Sequence, residues 1–158
     1  KGGVDGQFVR KEALWSAAYD RAVEIWRGVV FKAVREVSDP LDRIVRTIET
    51  DLRDYICGET FEGGCFFFNM LVELSGQSRT MASRIVQGFM QFSDLQSSWL
   101  EEAARAGRLK PGVQTREVAD FIVTSINGAA ALYAATRDPR FPRAIERQIH
   151  AHIDSLRA

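Results

Sequence analysis

The chain has 158 residues, a length that suits one domain with a core large enough to need no disulfide or metal staples. Its 21 basic and 21 acidic residues cancel, so no whole-chain field draws it to nucleic acid or to a membrane, and any DNA contact must be local. The two cysteines are too few for a disulfide framework, and we therefore expect a reduced, cytoplasmic protein.

Apolar residues recur every three or four positions along the first third of the chain, which is the spacing of one face of a helix. From Lys11 this pattern predicts a helix that persists to about Val37. The run 38–40 (Ser-Asp-Pro) then indicates a helix start, because Asp can cap and Pro is tolerated in the first turn. The second helix is predicted to end at Gly58.

Residues 65–72 (CFFFNMLV) are apolar nearly all round, so their pattern fits either a buried strand or a buried helix. The helical neighbours and the lack of a partner strand favour a helix. A long helix is predicted from about Arg79 to Ala106, and two more follow from Thr115 to about Arg137 and from Phe141 to Leu156. The sequence therefore predicts an all-α fold.

Residues that could carry catalysis or hold a metal do not form a recognisable motif. His150 and His152 lie two positions apart, point to different sides of a helix and cannot chelate one metal ion. The sequence contains no Gly-rich phosphate loop, zinc-type Cys/His spacing or nucleophile elbow. No stretch approaches the ~20 apolar residues of a membrane span. We expect no enzyme activity, no metal, no cofactor and no membrane partner.

Aromatic residues are concentrated in segments 15–31, 61–68 and 89–99. Such residues usually fill a packed core. A mostly apolar interior that also contains a few inward polar groups is, however, how small-molecule pockets are built. The aromatic segments are therefore candidates for both roles.

Small side chains in residues 125–131 would let two helices approach closely, either within the chain or between two chains. Together with the amphipathic final helix they predict a two-helix surface that self-associates as an isologous bundle. The predicted dimer interface consists of Ile122, Ile126, Ala130, Tyr133, Ile145, Ile149 and Ile153.

Cys65 follows two glycines at the predicted N-terminus of a helix. The partial positive charge at such a terminus lowers a thiol pKa and favours the reactive thiolate. One hypothesis is therefore a redox or electrophile sensor at Cys65. The other is a buried, inert side chain that acts as a small hydrophobe.

The first fourteen residues, KGGVDGQFVRKEAL, resemble the end of the DNA-binding motif of the TetR/AcrR family. That motif reads Lys-Gly-x-Leu-Tyr-x-His-Phe, followed by a two-residue link and by Lys-Glu-x-Leu at the start of a long helix. Asp5 stands where Tyr is usual, and Gln7 where His or Tyr is usual. The matching positions are Lys1, Gly2, Phe8, Lys11, Glu12 and Leu14.

The resemblance implies a TetR-type regulatory-domain helical bundle with a two-helix dimerisation surface. Residues 1–10 would be the remnant of a helix-turn-helix headpiece, most of which is missing from this chain. Residues 11–158 would form the ligand-binding and dimerisation domain. The implied function is a homodimeric transcriptional regulator, in the simplest case a repressor, that binds operator DNA through the headpiece and releases it when an effector enters the core.

The same resemblance assigns roles to individual residues. Lys1 and Gly3 would lie near DNA phosphate, and Lys11 would contact phosphate at the start of the linking helix, where free backbone N–H groups favour an anion. A carboxylate at Asp5 would repel phosphate there. The effector would be small and largely apolar or aromatic, with Asn69 and Gln96 as orienting groups. The other predicted pocket residues are Tyr19, Trp26, Ile48, Phe67, Phe68, Leu71, Ile85, Phe89, Phe92 and Phe121.

Two alternatives stay open at this point. In the first, the regulator responds to a covalent signal through Cys65, and replacing this residue with Ser would abolish the response. In the second, the chain is a helical dimerisation module that binds neither DNA nor a small molecule, and a core without a cavity would favour it.

Overall fold

The computed structural model describes residues 3–58 and 60–158, with side chains from residue 11 onward. Within these residues the chain forms six α-helices and no β-sheet, which confirms the predicted all-α fold. The helices are α1 (Gly3–Val30), α2 (Pro40–Thr50), α3 (Phe66–Leu74), α4 (Arg79–Arg105), α5 (Thr115–Thr136) and α6 (Arg140–Leu156).

Helix α1 lies further towards the N-terminus than the sequence predicted. It runs through Lys11 without a break and ends at Val30 instead of Val37. The hydroxyl of Thr50 donates to the carbonyl of Val30 at 2.8 Å, which satisfies one of the carbonyl groups left free where a helix ends. The apolar spacing continues past this point because Val34, which follows in a turn, is buried as well.

Helix α2 begins where the sequence predicted. The carboxylate of Asp39 accepts hydrogen bonds from the backbone N–H groups of Leu41 at 2.8 Å and Asp42 at 3.1 Å, and Pro40 occupies the first turn. After Thr50 the helix widens into a π-helical segment, Asp51–Ile56. Its i→i+5 pairing is closed by the Cys57 N–H, which donates to the Leu52 carbonyl at 3.0 Å.

The most completely buried part of the core consists of aliphatic side chains. They come chiefly from α2, the π-helical segment, α5 and α6, the elements that pack against one another on this side of the molecule. The aliphatic residues with at most 1% exposure are Val30, Leu41, Ile44, Ile48, Leu52, Ile56, Ile85, Leu100, Ile122, Ile149 and Ile153.

Helix α5 is more apolar than the sequence analysis expected. Its length and mean hydropathy of 1.4 meet the requirements for crossing a membrane. It packs between α4 and α6, however, and 44% of the apolar window is buried inside the fold. Its composition is that of a core helix with one exposed apolar face.

Candidate ligand-binding cavity

A cavity of about 380 Å³ lies between α1, the π-helical segment, α4 and the start of α3, and it reaches α5. This volume falls within the range of about 300–1,000 Å³ that is usual for small-molecule sites. The wall is mainly aromatic and aliphatic, with polar groups at its inner end and at its mouth. The predicted alternative of a core without a cavity therefore finds no support.

Trp26 of α1 is the centre of the aromatic wall. Its ring meets three Phe rings nearly at right angles, with centroid distances of 5.3 Å to Phe31, 5.2 Å to Phe92 and 6.2 Å to Phe67. Phe67 in turn lies edge-on to Tyr19, at 5.7 Å. Edge-to-face contacts are favourable and fix the orientation of each ring relative to its neighbour. These rings therefore form a defined wall of the cavity.

A buried carboxyl group, that of Asp51, lies at the inner end of the cavity. Asp51 is the first residue of the π-helical segment and is 4% exposed. The indole N–H of Trp26 donates to its Oδ1 at 2.9 Å. Burial raises the pKa of Asp51 to about 7, and the Trp26 hydrogen bond opposes that rise only in part. The carboxyl group therefore titrates near neutral pH.

Tyr55 and Cys65 adjoin this carboxyl group. Tyr55 is 1% exposed, and its hydroxyl lies close to the Cys65 thiol and to the Phe66 backbone. Cys65 is the N-cap of α3, as predicted, but burial raises the pKa of its thiol to about 12. The predicted lowering of this pKa was wrong, because desolvation outweighs the effect of the helix terminus.

Polar contacts at the mouth of the cavity join α1 to α4. The guanidinium of Arg84 donates to Asp20 at 2.5 Å and to the hydroxyl of Ser16, and it lies over the Tyr19 ring at 4.9 Å. The Tyr19 hydroxyl donates to the carbonyl of Arg84 at 3.3 Å. A Cβ at Gly88 would lie 2.7 Å from that hydroxyl, so a larger residue there would displace the end of the Tyr19 side chain. We call these contacts the α1–α4 latch.

Half of the predicted pocket residues line the cavity. These six are Tyr19, Trp26, Phe67, Ile85, Phe89 and Phe92. The six that do not line it are Ile48, Phe68, Asn69, Leu71, Gln96 and Phe121.

The misplaced residues lie on other faces of their helices. Ile48 and Gln96 are fully buried elsewhere in the core. Asn69 is exposed and donates to the carbonyl of Gly63 at 3.0 Å, so it is not aimed into the cavity. Phe121 is 46% exposed and contacts His152, with 5.5 Å between the rings. Helical phase read from the sequence could not separate cavity-facing from core-facing positions.

Sequence analysis missed Asp51, Tyr55, Arg84 and Asn127, which line the cavity as well. One signal for Asp51 was available. Asp51 is an acidic residue inside the apolar stripe that runs from Ile48 to Tyr55. Acidic residues are rare on a helix face that points into the core, so one at such a position is a candidate functional residue.

The predicted dimer residues face the interior of their own chain. Ile122, Ile126, Ala130, Tyr133, Ile149 and Ile153 are buried by the protein itself, and Ile145 is half-buried. They cannot form an interface without unpacking the core. The apolar pattern marks the faces of α5 and α6 that pack into the core of the same chain, because the residues of an inward face and of an interface show the same periodicity.

The outward face of α5 is the available apolar surface on this pair of helices. Phe121 is 46% and Leu132 47% exposed. Between them, a Cβ at Gly128 would meet nothing within 4 Å. The three residues lie seven and four positions apart and therefore share one helix face. We call them, with His152 of α6, the α5–α6 face.

A cluster of titratable side chains joins α2 to α6. Ligand atoms of Glu49, Glu146 and His150 lie within 4.8 Å of one another. The Glu146 carboxylate, however, already accepts two hydrogen bonds from Arg53, and Arg46 lies 2.9 Å from Glu49. The cluster is an ion-pair network that a metal ion could enter only by displacing arginine.

The predicted phosphate contacts fall on the first turns of α1. Lys1 lies outside the described residues, and Gly3 begins α1 in a segment whose side chains are not described. Lys11 is exposed. Because α1 continues through Lys11, its backbone N–H is inside a helix, and the expectation of free N–H groups at this position was wrong.

Comparison with known proteins places this fold and cavity in a family. Residues 40–149 match the family described as tetracyclin repressor-like, C-terminal domain. The match covers more than half of the chain, and the protein therefore belongs to the TetR family of transcriptional regulators. No curated protein matches the chain. Regulators of this family typically act as dimers that bind DNA and ligands, and they are generally not enzymes.

Solved structures agree with this assignment at the level of the fold. A TetR transcriptional regulator from Chloroflexus aurantiacus has a TM-score of 0.86 and 20% identity, over 99% of this chain and 78% of that one. A TetR-family regulator from Cytophaga hutchinsonii has a TM-score of 0.78 and 16% identity, over 100% and 78%. The reduced form of E. coli NemR has a TM-score of 0.63 and 19% identity, over 93% and 70%.

Proposed function

We propose that the protein is a homodimeric, cytoplasmic repressor whose cavity binds a small, largely apolar or aromatic effector, and that binding releases operator DNA. The observation that carries this proposal is the position of α1. This helix forms one wall of the cavity through Tyr19, Val23 and Trp26, and its first turns carry the sequence that resembles the end of the DNA-binding motif.

The α1–α4 latch supports a mechanism for release. Among the described residues, α1 packs chiefly on α2 and the π-helical segment, and it meets α4 through the side-chain contacts at the cavity mouth and through the Trp26–Phe92 ring contact in the cavity wall. A ligand that separates α1 from α4 would therefore move the N-terminal end of α1. In a dimer such a movement changes the spacing of two recognition helices, which must match grooves about 34 Å apart. The ligand acts only through its different affinity for the two arrangements.

The α5–α6 face supports dimerisation. Phe121 and Leu132 are exposed on one face of α5, and Gly128 between them allows a second helix to approach closely. Two such faces related by a two-fold axis would form a four-helix bundle. We assign the dimer interface to this face in place of the buried residues predicted from the sequence.

The cavity is tested by filling it. Val23→Trp places an indole at a half-buried wall position of α1, and Val86→Trp makes the same change at a 44% exposed position of α4. Binding of 1-naphthylmethanol is measured by calorimetry. We expect the original protein and the Val86 variant to bind equally and the Val23 variant to bind at least ~10-fold more weakly. Equal binding by all three would contradict the assignment of the cavity as the ligand site.

A further inference from the structure

The carboxyl group of Asp51 is the one acidic group at the inner end of the cavity, among the side chains that the structure describes. Its Oδ1 accepts the Trp26 indole hydrogen bond at 2.9 Å, and its Oδ2 accepts no hydrogen bond from a described residue. No described Lys, Arg or His pairs with it. A carboxylate that is 4% exposed and has a single neutral donor lacks the partners that normally offset its loss of water.

The backbone conformation at Asp51 is also unusual. Asp51 begins the π-helical segment, and Tyr55, four residues later, lines the same cavity. π-Helical turns are rare and occur frequently at functional sites. Here the wider turn presents an acidic and a phenolic oxygen side by side to the cavity. Tyr55 therefore offers a second polar group to the same occupant.

The cations nearest to the cavity do not neutralise Asp51. Arg84 is at the mouth and is engaged by Asp20 and Ser16. Arg27 is exposed and lies at the rim. When Asp51 is ionised, no described side chain supplies a balancing charge, and a cationic group on the molecule that fills the cavity could supply it.

We propose that the cavity selects ligands that carry a protonated nitrogen next to an aromatic or apolar body, with Asp51 as the counter-charge. This inference rests on the proposed ligand-sensing function and names the chemical class of the ligand. The rings of Trp26, Phe67 and Phe92 enclose the apolar body, and their π-faces also attract a cation. A charge-assisted hydrogen bond from nitrogen to Oδ2 fixes the orientation.

Three probes that share a naphthyl group test the charge selection. These are 1-naphthylmethylamine, a cation, 1-naphthylmethanol, its neutral analogue, and 1-naphthoate, an anion. Calorimetry on the dimer gives their dissociation constants at about pH 8, where Asp51 is mainly ionised. We expect the amine to bind at least ~10-fold more tightly than the alcohol, and the anion to bind most weakly.

Substitutions assign the preference to Asp51. Asp51→Asn keeps the shape and the acceptor for Trp26 but removes the charge, and we expect it to lower amine affinity at least ~10-fold while leaving alcohol affinity within about twofold. Asp20→Asn makes the same chemical change at the mouth, on an exposed residue. The Asp20 variant should keep the amine preference. Loss of the preference in both variants would assign it to the general charge of the cavity and overturn the role of Asp51.

The original protein offers a second measurement that needs no variant. Its amine affinity should rise roughly tenfold from about pH 6 to about pH 8, because Asp51 gains its charge over this range while an alkylamine stays protonated. Alcohol affinity should change little. The other titratable or charged groups that line the cavity are Tyr19, Asp20 and Arg27 of α1, Tyr55, Cys65, and Arg84 of α4. A flat amine profile would contradict the inference even if the Asn variant failed to fold.

The possible outcomes separate this inference from the function on which it rests. Equal affinity for amine and alcohol would leave the cavity as a ligand site and overturn the charge selection. Preference for 1-naphthoate would also overturn it and would assign recognition to the arginines at the mouth. Failure of all three probes to bind at ~1 mM would contradict both the cavity proposal and the inference.

Discussion

The aliphatic core formed by α2, α5 and α6 and the cavity formed by α1 and α4 are built from different side chains, and the π-helical segment contributes to both. The first is filled by Leu and Ile residues, nearly all without exposure. The second is lined largely by Trp, Tyr and Phe rings and contains a cavity of about 380 Å³. The comparison shows that one small domain combines a closely packed aliphatic region with an aromatic-lined cavity.

Truncation of a packed residue should have the largest effect on stability. Ile149→Ala, at a position with 0% exposure, is expected to lower the free energy of unfolding by ~2–5 kcal/mol because it creates a void. Phe89→Ala, at the half-buried cavity wall, should cost less than half as much because it enlarges space that already exists. Urea denaturation of both variants checks this. Equal costs would show that the two sides are packed alike.

Removal of the buried charge should stabilise the cavity side. The folded-state pKa of Asp51, about 7, lies above its ordinary value of 3.8, so the folded protein retains a proton that the unfolded chain loses. Stability from this group is thus full at low pH and falls as pH rises from about 4 to about 7. Asp51→Asn should raise the free energy of unfolding by up to about 4 kcal/mol at about pH 8, and by little near pH 4. A pH-independent gain would contradict the assigned pKa.

The outward face of the packed side should control assembly. Leu132→Glu introduces a charge into the α5–α6 face, and we expect the dimer dissociation constant to rise at least ~100-fold, about 3 kcal/mol. Analytical ultracentrifugation measures this dissociation constant. Leu14→Glu is the matched control, since Leu14 is 72% exposed on α1. A dimer unaffected by the Leu132 change would place the interface elsewhere.

The α1–α4 latch should have the smallest effect on stability. Arg84→Ala removes a largely exposed ion pair with Asp20 and a contact with the Tyr19 ring, which together are worth ~1 kcal/mol or less. Arg21→Ala, which breaks an exposed pair within α1, serves as the control for charge. Differential scanning calorimetry compares the stability of the Arg84 and Arg21 variants. If the free energy of unfolding fell by several kcal/mol in the Arg84 variant alone, the latch would be a structural element of the fold and not a switch.

The predictability of the fold differs from that of the site for a physical reason. Helix existence depends on local spacing and caps, and Asp39 and Pro40 fixed the start of α2 correctly. The end of α1 at Val30 was predicted seven residues too late, because the apolar spacing continues through buried Val34 in the turn that follows. Cavity residues such as Trp26 and Phe92 were found because aromatic segments are conspicuous in any sequence.

The inner end of the cavity was not predictable in the same way. Asp51 and Tyr55 reach the cavity through a π-helical turn, which has no signature in the spacing of apolar residues. The orientation of α5 was not predictable from the sequence for a related reason. Helix α5 is apolar on two sides, and only its packing shows that Ile122 faces inward and Leu132 outward.

The central claim is that occupation of the cavity releases DNA. Its most direct test is fluorescence anisotropy of an operator selected from genomic fragments, bound to the product of the complete gene and titrated with 1-naphthylmethylamine. The account predicts release from the original protein and from the Val86→Trp variant. The Val23→Trp variant should remain bound to the operator. Release of the Val23 variant at the same amine concentration, or no release of the original protein when calorimetry shows its cavity occupied, would contradict the account.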